Sequence, residues 1–201
     1  MRYTAGVLLG ALALTGGLTA CSSGSEPTAA AGTPSTTASS SAPAAFLELA
    51  APRDSGTQPV GLTYNKDLIP LASKVAVSSE KDNGGTKITL AVEGLLPNHE
   101  YGAHVHTKPC GVKPADAGPH YQDKKDPVSP SVDPAFANTD NEIWLDMTTD
   151  AKGAATTTAS VKWTFRPGEA NAVVLHASHT MTMAGMAGTA GDRLACVTTT
   201  F

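Results

Sequence analysis

At 201 residues, with a formal net charge of −4 and 41% hydrophobic side chains, the chain has room for one domain of ordinary size plus an appendage. It holds no clustered run of Lys and Arg, which argues against nucleic acid or an anionic lipid surface as a partner. Its three cysteines, Cys21, Cys110 and Cys196, are an odd number, so an exported chain needs a separate fate for one of them.

The first element is an export signal over residues 1–20. Met1-Arg2-Tyr3 makes a short positive start, and Ala5 to Leu18 is an apolar run too short to span a bilayer. It ends in Leu18-Thr19-Ala20-Cys21, which resembles the bacterial lipoprotein box, whose cysteine becomes the lipidated first residue of the mature protein. Lipid attachment at Cys21 would account for the odd cysteine. Residues 21–45 are then dominated by Ser, Thr, Ala, Pro and Gly, with Glu26 the only charge, so nothing is available to bury. A disordered tether of this length would hold a domain on the order of 25 to 30 Å from its anchor. The expected setting is extracytoplasmic, at the cell membrane, where disulfides are permitted.

The folded domain is expected over residues 46–201. Runs at 46–50, 60–64, 74–78, 87–92 and 101–106 are short, partly alternating and rich in strand formers, as are 143–148, 155–163, 172–175 and 194–197. Turn clusters such as Asp82-Asn83-Gly84-Gly85 separate them, and some eight short strands of this kind predict an antiparallel sandwich or barrel. Two stretches break the rhythm: the proline-studded 107–141, and 177–192, rich in Gly, Ala, Thr and Met. Long loops on a rigid β scaffold are where function usually sits.

Tyr101-Gly102-Ala103-His104-Val105-His106 is the run that carries chemistry. Side chains alternate along a strand, so His104 and His106 share a face with Cα atoms roughly 6.5 to 7 Å apart, and both can meet one metal ion. The bland alternative is a pair of surface histidines. His120 in the first long loop and His176 at the end of 172–175 make the metal site the better reading. Imidazoles without thiolate suit copper or zinc, and copper(II) binds more tightly in the Irving–Williams order.

Several segments together resemble the copper/zinc superoxide dismutase family. They are Gly102 to His106, Cys110, Ala117-Gly118-Pro119-His120-Tyr121, Asp150-Ala151-Lys152-Gly153, Val173-Val174-Leu175-His176 and Gly191-Asp192-Arg193-Leu194-Ala195-Cys196, in the family's order. The resemblance implies an all-β fold, an eight-stranded antiparallel Greek-key barrel with two long functional loops. It also implies dismutation of superoxide to oxygen and hydrogen peroxide. His104, His106, His120 and His176 would be the copper ligands, with His120 at the position that bridges copper to zinc in two-metal members. His120 would also leave the reduced metal and carry a proton toward the peroxide. Arg193 would stand beside the open copper position as an always-protonated partner for an anion. Cys110 and Cys196 would form the intrachain disulfide, worth roughly 4 to 5 kcal/mol in the chain-entropy model. Copper is the metal implied for catalysis, because zinc has no redox chemistry of its own.

The sequence departs from the two-metal pattern in ways that agree with one another. No histidine lies between His120 and His176, so the usual zinc ligands are missing, and Ala177-Ser178-His179-Thr180 replaces the acidic residue that links the two metal sites. Alignment on Asp150 to Gly153 puts Asp140 near a lost histidine and Ile143 where the zinc aspartate would stand. The expectation is therefore the copper-only branch, with zinc absent. A carboxylate would then orient the bridging imidazole, Asp140 and Glu142 being the candidates. Asp123, Asp126, Asp133 and Asp146 read as solvated acids. His179 with Met181, Met183 and Met186 suggests copper(I) capture, against the plainer role of filling gaps. His99 reads as a turn residue, and Trp144 and Trp163 as core or barrel surface. Two rivals to the dismutase remain, a copper-binding or buffering protein on the same barrel and an inactive structural module. No feature fixes the oligomeric state, and a monomer is the default.

Overall fold

The computed structural model describes residues 45–201; the export signal, Cys21 and the tether up to residue 44 lie outside the described residues. Among the described residues no helix is long and apolar enough to cross a membrane.

Two antiparallel sheets face each other across the main core. In the first, β3 (Lys74–Asp82) and β4 (Gly85–Glu93) form a hairpin closed at Asn83-Gly84, both with positive φ, as the tightest hairpin turns require. Along β4 the inward residues Ile88, Leu90 and Val92 alternate with the less buried Lys87, Thr89 and Ala91, so one face packs and one is wetter. β1 (Leu47–Glu48) borders β3 and β7 (Ala155–Val161) borders β4, giving the order β1-β3-β4-β7.

The second sheet runs β2-β9-β8-β5-β6, with β2 at Gly61–Thr63, β9 at Arg193–Thr198, β8 at Ala172–His176, β5 at Glu100–His106 and β6 at Met147–Thr148. Its central strands β5 and β8 are buried on both faces. Tyr101, Ala103, Val105, Val173 and Leu175 point into the main core. The alternate residues Gly102, His104, His106, Val174 and His176 therefore emerge on the opposite face, where the two long loops cover them. A smaller cluster of Leu62, Ala117, Val174 and the two bonded cysteines lies on that side.

The described residues hold nine strands, one on each of the nine runs marked in the sequence, against the eight of the barrel that the resemblance implies. Residues 46–50, expected as one strand, serve both sheets: Leu47 and Glu48 pair with β3, and Ala50 bridges to Leu62 of β2. Residues 143–148 are likewise interrupted. Trp144 bridges to His104, Leu145 donates to the Ala103 carbonyl, and only Met147 and Thr148 form a regular pair with β5.

The first long loop lacks periodicity but is firmly held. Cys110 is bonded to Cys196 of β9 with the Cα atoms 5.7 Å apart, a Pro114–Ala117 3₁₀ turn follows, and Arg166 donates to the carbonyls of Gln122 and Asp123. The Asn141 amide donates to the carbonyls of Lys124 and Phe136. Three of the acids expected to be solvated serve this loop. Asp126 accepts from the Val128 amide and the Ser131 hydroxyl, Asp133 accepts from the Ala135 amide, and Asp123 pairs with Arg166 at 3.8 Å.

Candidate metal centre

The antiparallel register sets Gly102 of β5 opposite His176 of β8, and a bridge between His106 and His120 brings the loop histidine over β5. One potential ligand atom from each of His104, His106, His120 and His176 lies within 4.8 Å of the others. His104 and His106 are fully buried, His176 is 4% exposed, and the His120 side chain, at 18%, is the one that solvent reaches.

Each ring has one nitrogen engaged away from the centre. His106 Nδ1 is 2.9 Å from the Gly118 carbonyl and His176 Nδ1 is 3.3 Å from that of Gly191; a carbonyl only accepts, so both Nδ1 atoms carry the proton. His104 instead turns Nε2 outward, 2.7 Å from Thr180 Oγ1. The inward nitrogens, His104 Nδ1, His106 Nε2 and His176 Nε2, are buried with no hydrogen-bond partner. A buried unpaired polar atom costs about 1 to 3 kcal/mol, so three of them converging on one point fit a site built for a metal ion. Burial, reinforced by the charge His120 would carry, holds His104 and His106 well below the ordinary histidine range, and His176 is pushed down to about 3 by the same two causes in the same order. The rings are thus neutral near pH 7, with the lone pairs that a metal needs.

His120 differs in its outer partner. Its Nδ1 lies 2.9 Å from Glu142 Oε2, and Glu142 is 1% exposed. The same oxygen accepts from Trp144 Nε1 at 2.7 Å, and Oε1 accepts from Gln122 Nε2 at 2.8 Å. Three donors on a buried carboxylate hold it in one orientation and offset its desolvation. Of the two acids weighed as partners for His120, Asp140 is exposed, and it is its carbonyl rather than its carboxylate that is engaged, by Trp163 Nε1.

Arg193 opens β9 beside His176, at an irregularity in the register. It is half-buried and donates to the Pro114 carbonyl at 3.1 Å, and burial lowers its pKa from the usual arginine value. A cleft of about 680 Å³ reaches His120 and His176, and Arg193 and Glu142 are among its walls. His179 stands outside the four, with Nε2 3.0 Å from the Met147 carbonyl, while Met181, Met183 and Met186 are exposed. His99 lies edge-on to Tyr101 at 4.6 Å.

Four residues at the site were not expected there. Trp144, read as core or surface, donates to Glu142, and Gln122 does so from the other side. Both sit two positions from a site residue, Trp144 from Glu142 and Gln122 from His120, and extended alternation would have placed each pair on one face. Asp146 is two positions from Trp144, but its link to the site runs through Thr180, which meets His104 from a separate segment and carries no such local signal.

The family model for copper/zinc superoxide dismutase (SODC) matches residues 72–199. No curated protein matches the chain. Among solved structures, a mutant of a SOD-like protein from Bacillus subtilis is 17% identical, with 63% of this chain and 88% of that chain covered and a TM-score of 0.47. The Cu/Zn superoxide dismutase from Brucella abortus is 20% identical over 63% of this chain and 86% of its own, with a TM-score of 0.46. The clock protein EA4 is 22% identical over 63% and 85%, with a TM-score of 0.47. The matched residues take in every strand from β3 to β9 and all four clustered histidines, and on that match the chain belongs to the copper/zinc superoxide dismutase family.

Proposed function

We propose that the chain is a copper-only superoxide dismutase, converting superoxide to oxygen and hydrogen peroxide, with a single copper held by His104, His106, His120 and His176 and no zinc. What carries this is the outer nitrogen of His120: at the position where the family bridges to a second metal, it is already held by the buried carboxylate of Glu142. The two sheets are read as the walls of the family's Greek-key barrel. The sequence pattern alone supports the lipid anchor at Cys21 and the tether at 21–45, which would display the domain outside the cytoplasmic membrane.

Copper, when bound, supplies alternation between two oxidation states. The protein supplies charge, orientation and protons. Arg193 keeps a guanidinium at the cleft, where a low-dielectric wall focuses its field on an incoming anion. His120 is the histidine that solvent reaches, so its Nε2 is the atom to take up a proton and deliver it, while Nδ1–H stays on Glu142. Gln122 and Trp144 keep Glu142 from turning away as this happens.

Arg193→Ala is expected to retain copper, lower the second-order rate by about tenfold and flatten its dependence on ionic strength, since electrostatic guidance is the lost contribution. Stopped-flow rates across a salt series check this; an unchanged profile would remove Arg193 from the mechanism. Glu142→Gln keeps the volume but exchanges one acceptor oxygen for a donor, so one of three donors is left unpaired. Activity should fall about tenfold or more, with a stability loss of about 1 to 3 kcal/mol by urea titration. Wild-type activity in that variant would show that His120 needs no carboxylate.

The exposed Met181, Met183 and Met186 favour one rival, a copper buffer on the same fold. Superoxide consumption by copper-loaded, zinc-free protein is the experiment that separates the readings. A buffer would bind copper without turnover, and a structural module would do neither.

A further inference from the structure

The outward nitrogen of His104 meets a side chain, whereas those of His106 and His176 meet backbone carbonyls. Thr180 Oγ1 lies 2.7 Å from His104 Nε2 and donates to Asp146 Oδ1 at 2.6 Å, and the Thr180 amide donates to Asp146 Oδ2 at 2.8 Å. The donor count settles the direction of this chain. A carboxylate only accepts, so the single hydroxyl proton of Thr180 goes to Asp146, and the hydroxyl can then only accept from His104. His104 must carry its proton on Nε2. Its lone pair is left on Nδ1, the buried nitrogen that has no partner and faces the other three rings.

We propose that Thr180 and Asp146 are positioning residues that set the tautomer and ring orientation of His104, and so determine that Nδ1 is the atom it offers to copper. This rests on the four histidines being the copper ligands. The two residues come from different parts of the chain, Asp146 from the segment just before β6 and Thr180 from the loop after β8, so the pair also ties that loop to the β6 edge of the sheet. Space for it depends on Gly102. A Cβ at position 102 would lie 2.5 Å from the Ser178 carbonyl oxygen, 2.8 Å from Ala190 Cβ and 3.3 Å from Asp146 Oδ1, so a side chain there would push the loop and the carboxylate apart. Trp144, edge-on to His104 at 6.1 Å, limits the ring from one side. A simple loop fastening would be satisfied by the Thr180 amide on Asp146. The hydroxyl standing between the carboxylate and the imidazole is what that role leaves unexplained.

The test compares Thr180→Val, which keeps the shape and removes the hydroxyl, with Thr180→Ser, which restores it. Nitrogen-15 NMR of the histidine rings in metal-free protein reads the tautomer, and competition with a chelator reads the release of copper from loaded protein. Wild type and Thr180→Ser should show His104 as the single Nε2–H form. Thr180→Val should lose that form and release copper about ten- to a hundredfold faster, the range for loss of a ligand's outer partner. A Thr180→Val protein with the wild-type tautomer and release rate overturns the proposal, as does one whose melting temperature falls while the tautomer stays. If Thr180→Val does not fold, Asp146→Asn decides by the same two measurements, because an amide offers one acceptor oxygen where two are used; both unchanged would again overturn it. The tautomer is read without metal, so its outcome is separate from whether the loaded protein is a dismutase.

Discussion

His104→Ala and His176→Ala should each abolish chelator-resistant copper binding, and activity with it, while leaving the metal-free protein nearly as stable as the parent. The two expectations have one origin. Each imidazole presents a buried nitrogen with no partner, an arrangement that costs free energy in the absence of metal and is repaid only when a ligand fills the centre. Deleting the ring removes an unpaired polar atom at the same time as it opens a small cavity, so the two changes in metal-free stability oppose each other. The loss in copper affinity has no such offset. It should exceed the ten- to hundredfold that follows loss of an outer partner, because a bond to the metal itself is gone. The rise in melting temperature on adding copper, which follows mass action on the folded state, should therefore disappear in both variants. Metal content by mass spectrometry after chelator treatment, with melting curves with and without copper, checks both parts. Undiminished copper in both variants would place the centre elsewhere.

The second large effect belongs to the disulfide. Cys110 and Cys196 are 86 positions apart, and a loop of that size is worth about 4 to 5 kcal/mol in the chain-entropy model. For a domain of this size that corresponds to a fall of roughly 10 to 15 °C in melting temperature for the Cys110→Ser, Cys196→Ser double variant. The function should suffer by a route separate from stability. The bridge anchors the loop whose Gly111 carbonyl accepts from Tyr64 and whose Pro114 carbonyl accepts from Arg193. With the bridge gone, that carbonyl is no longer held in place and the guanidinium loses its brace, so the rate per bound copper should drop even where the protein is still folded. Calorimetry and rates normalised to copper content check the two parts. A melting temperature within about 2 °C of the parent would show that the loop is held by Arg166, Asn141 and the smaller apolar cluster without it.

How much of this was legible in the sequence depends on the range of the signal. Alternation along residues 101–106 was enough to put His104 and His106 on one face, because period two is a local property of an extended chain. The loop histidine and the disulfide needed the family pattern, since nothing local says where His120 or Cys110 will land. For Glu142 the sequence supplied two neighbouring acids and no means of choosing between them. The choice is made by burial, Glu142 being enclosed with three donors while Asp140 is exposed. The acids at 123, 126 and 133 looked solvated because turn-capping and ion pairing inside an irregular loop leave no periodic trace. Asp146 and Thr180 were out of reach for the opposite reason, since their meeting is created by two separate segments closing over His104. All nine strands fall on runs that the alternation marks, but nothing local showed that the run at 46–50 would serve the edges of both sheets.

The most direct test is the decay of superoxide followed by stopped flow with protein that carries one equivalent of copper and has been stripped of zinc. Decay should be catalytic, first order in protein, far faster than spontaneous dismutation, and unchanged when zinc is added back. Decay no faster than the protein-free control while copper stays bound, or activity that returns only with zinc, would contradict a dismutase that works on copper alone.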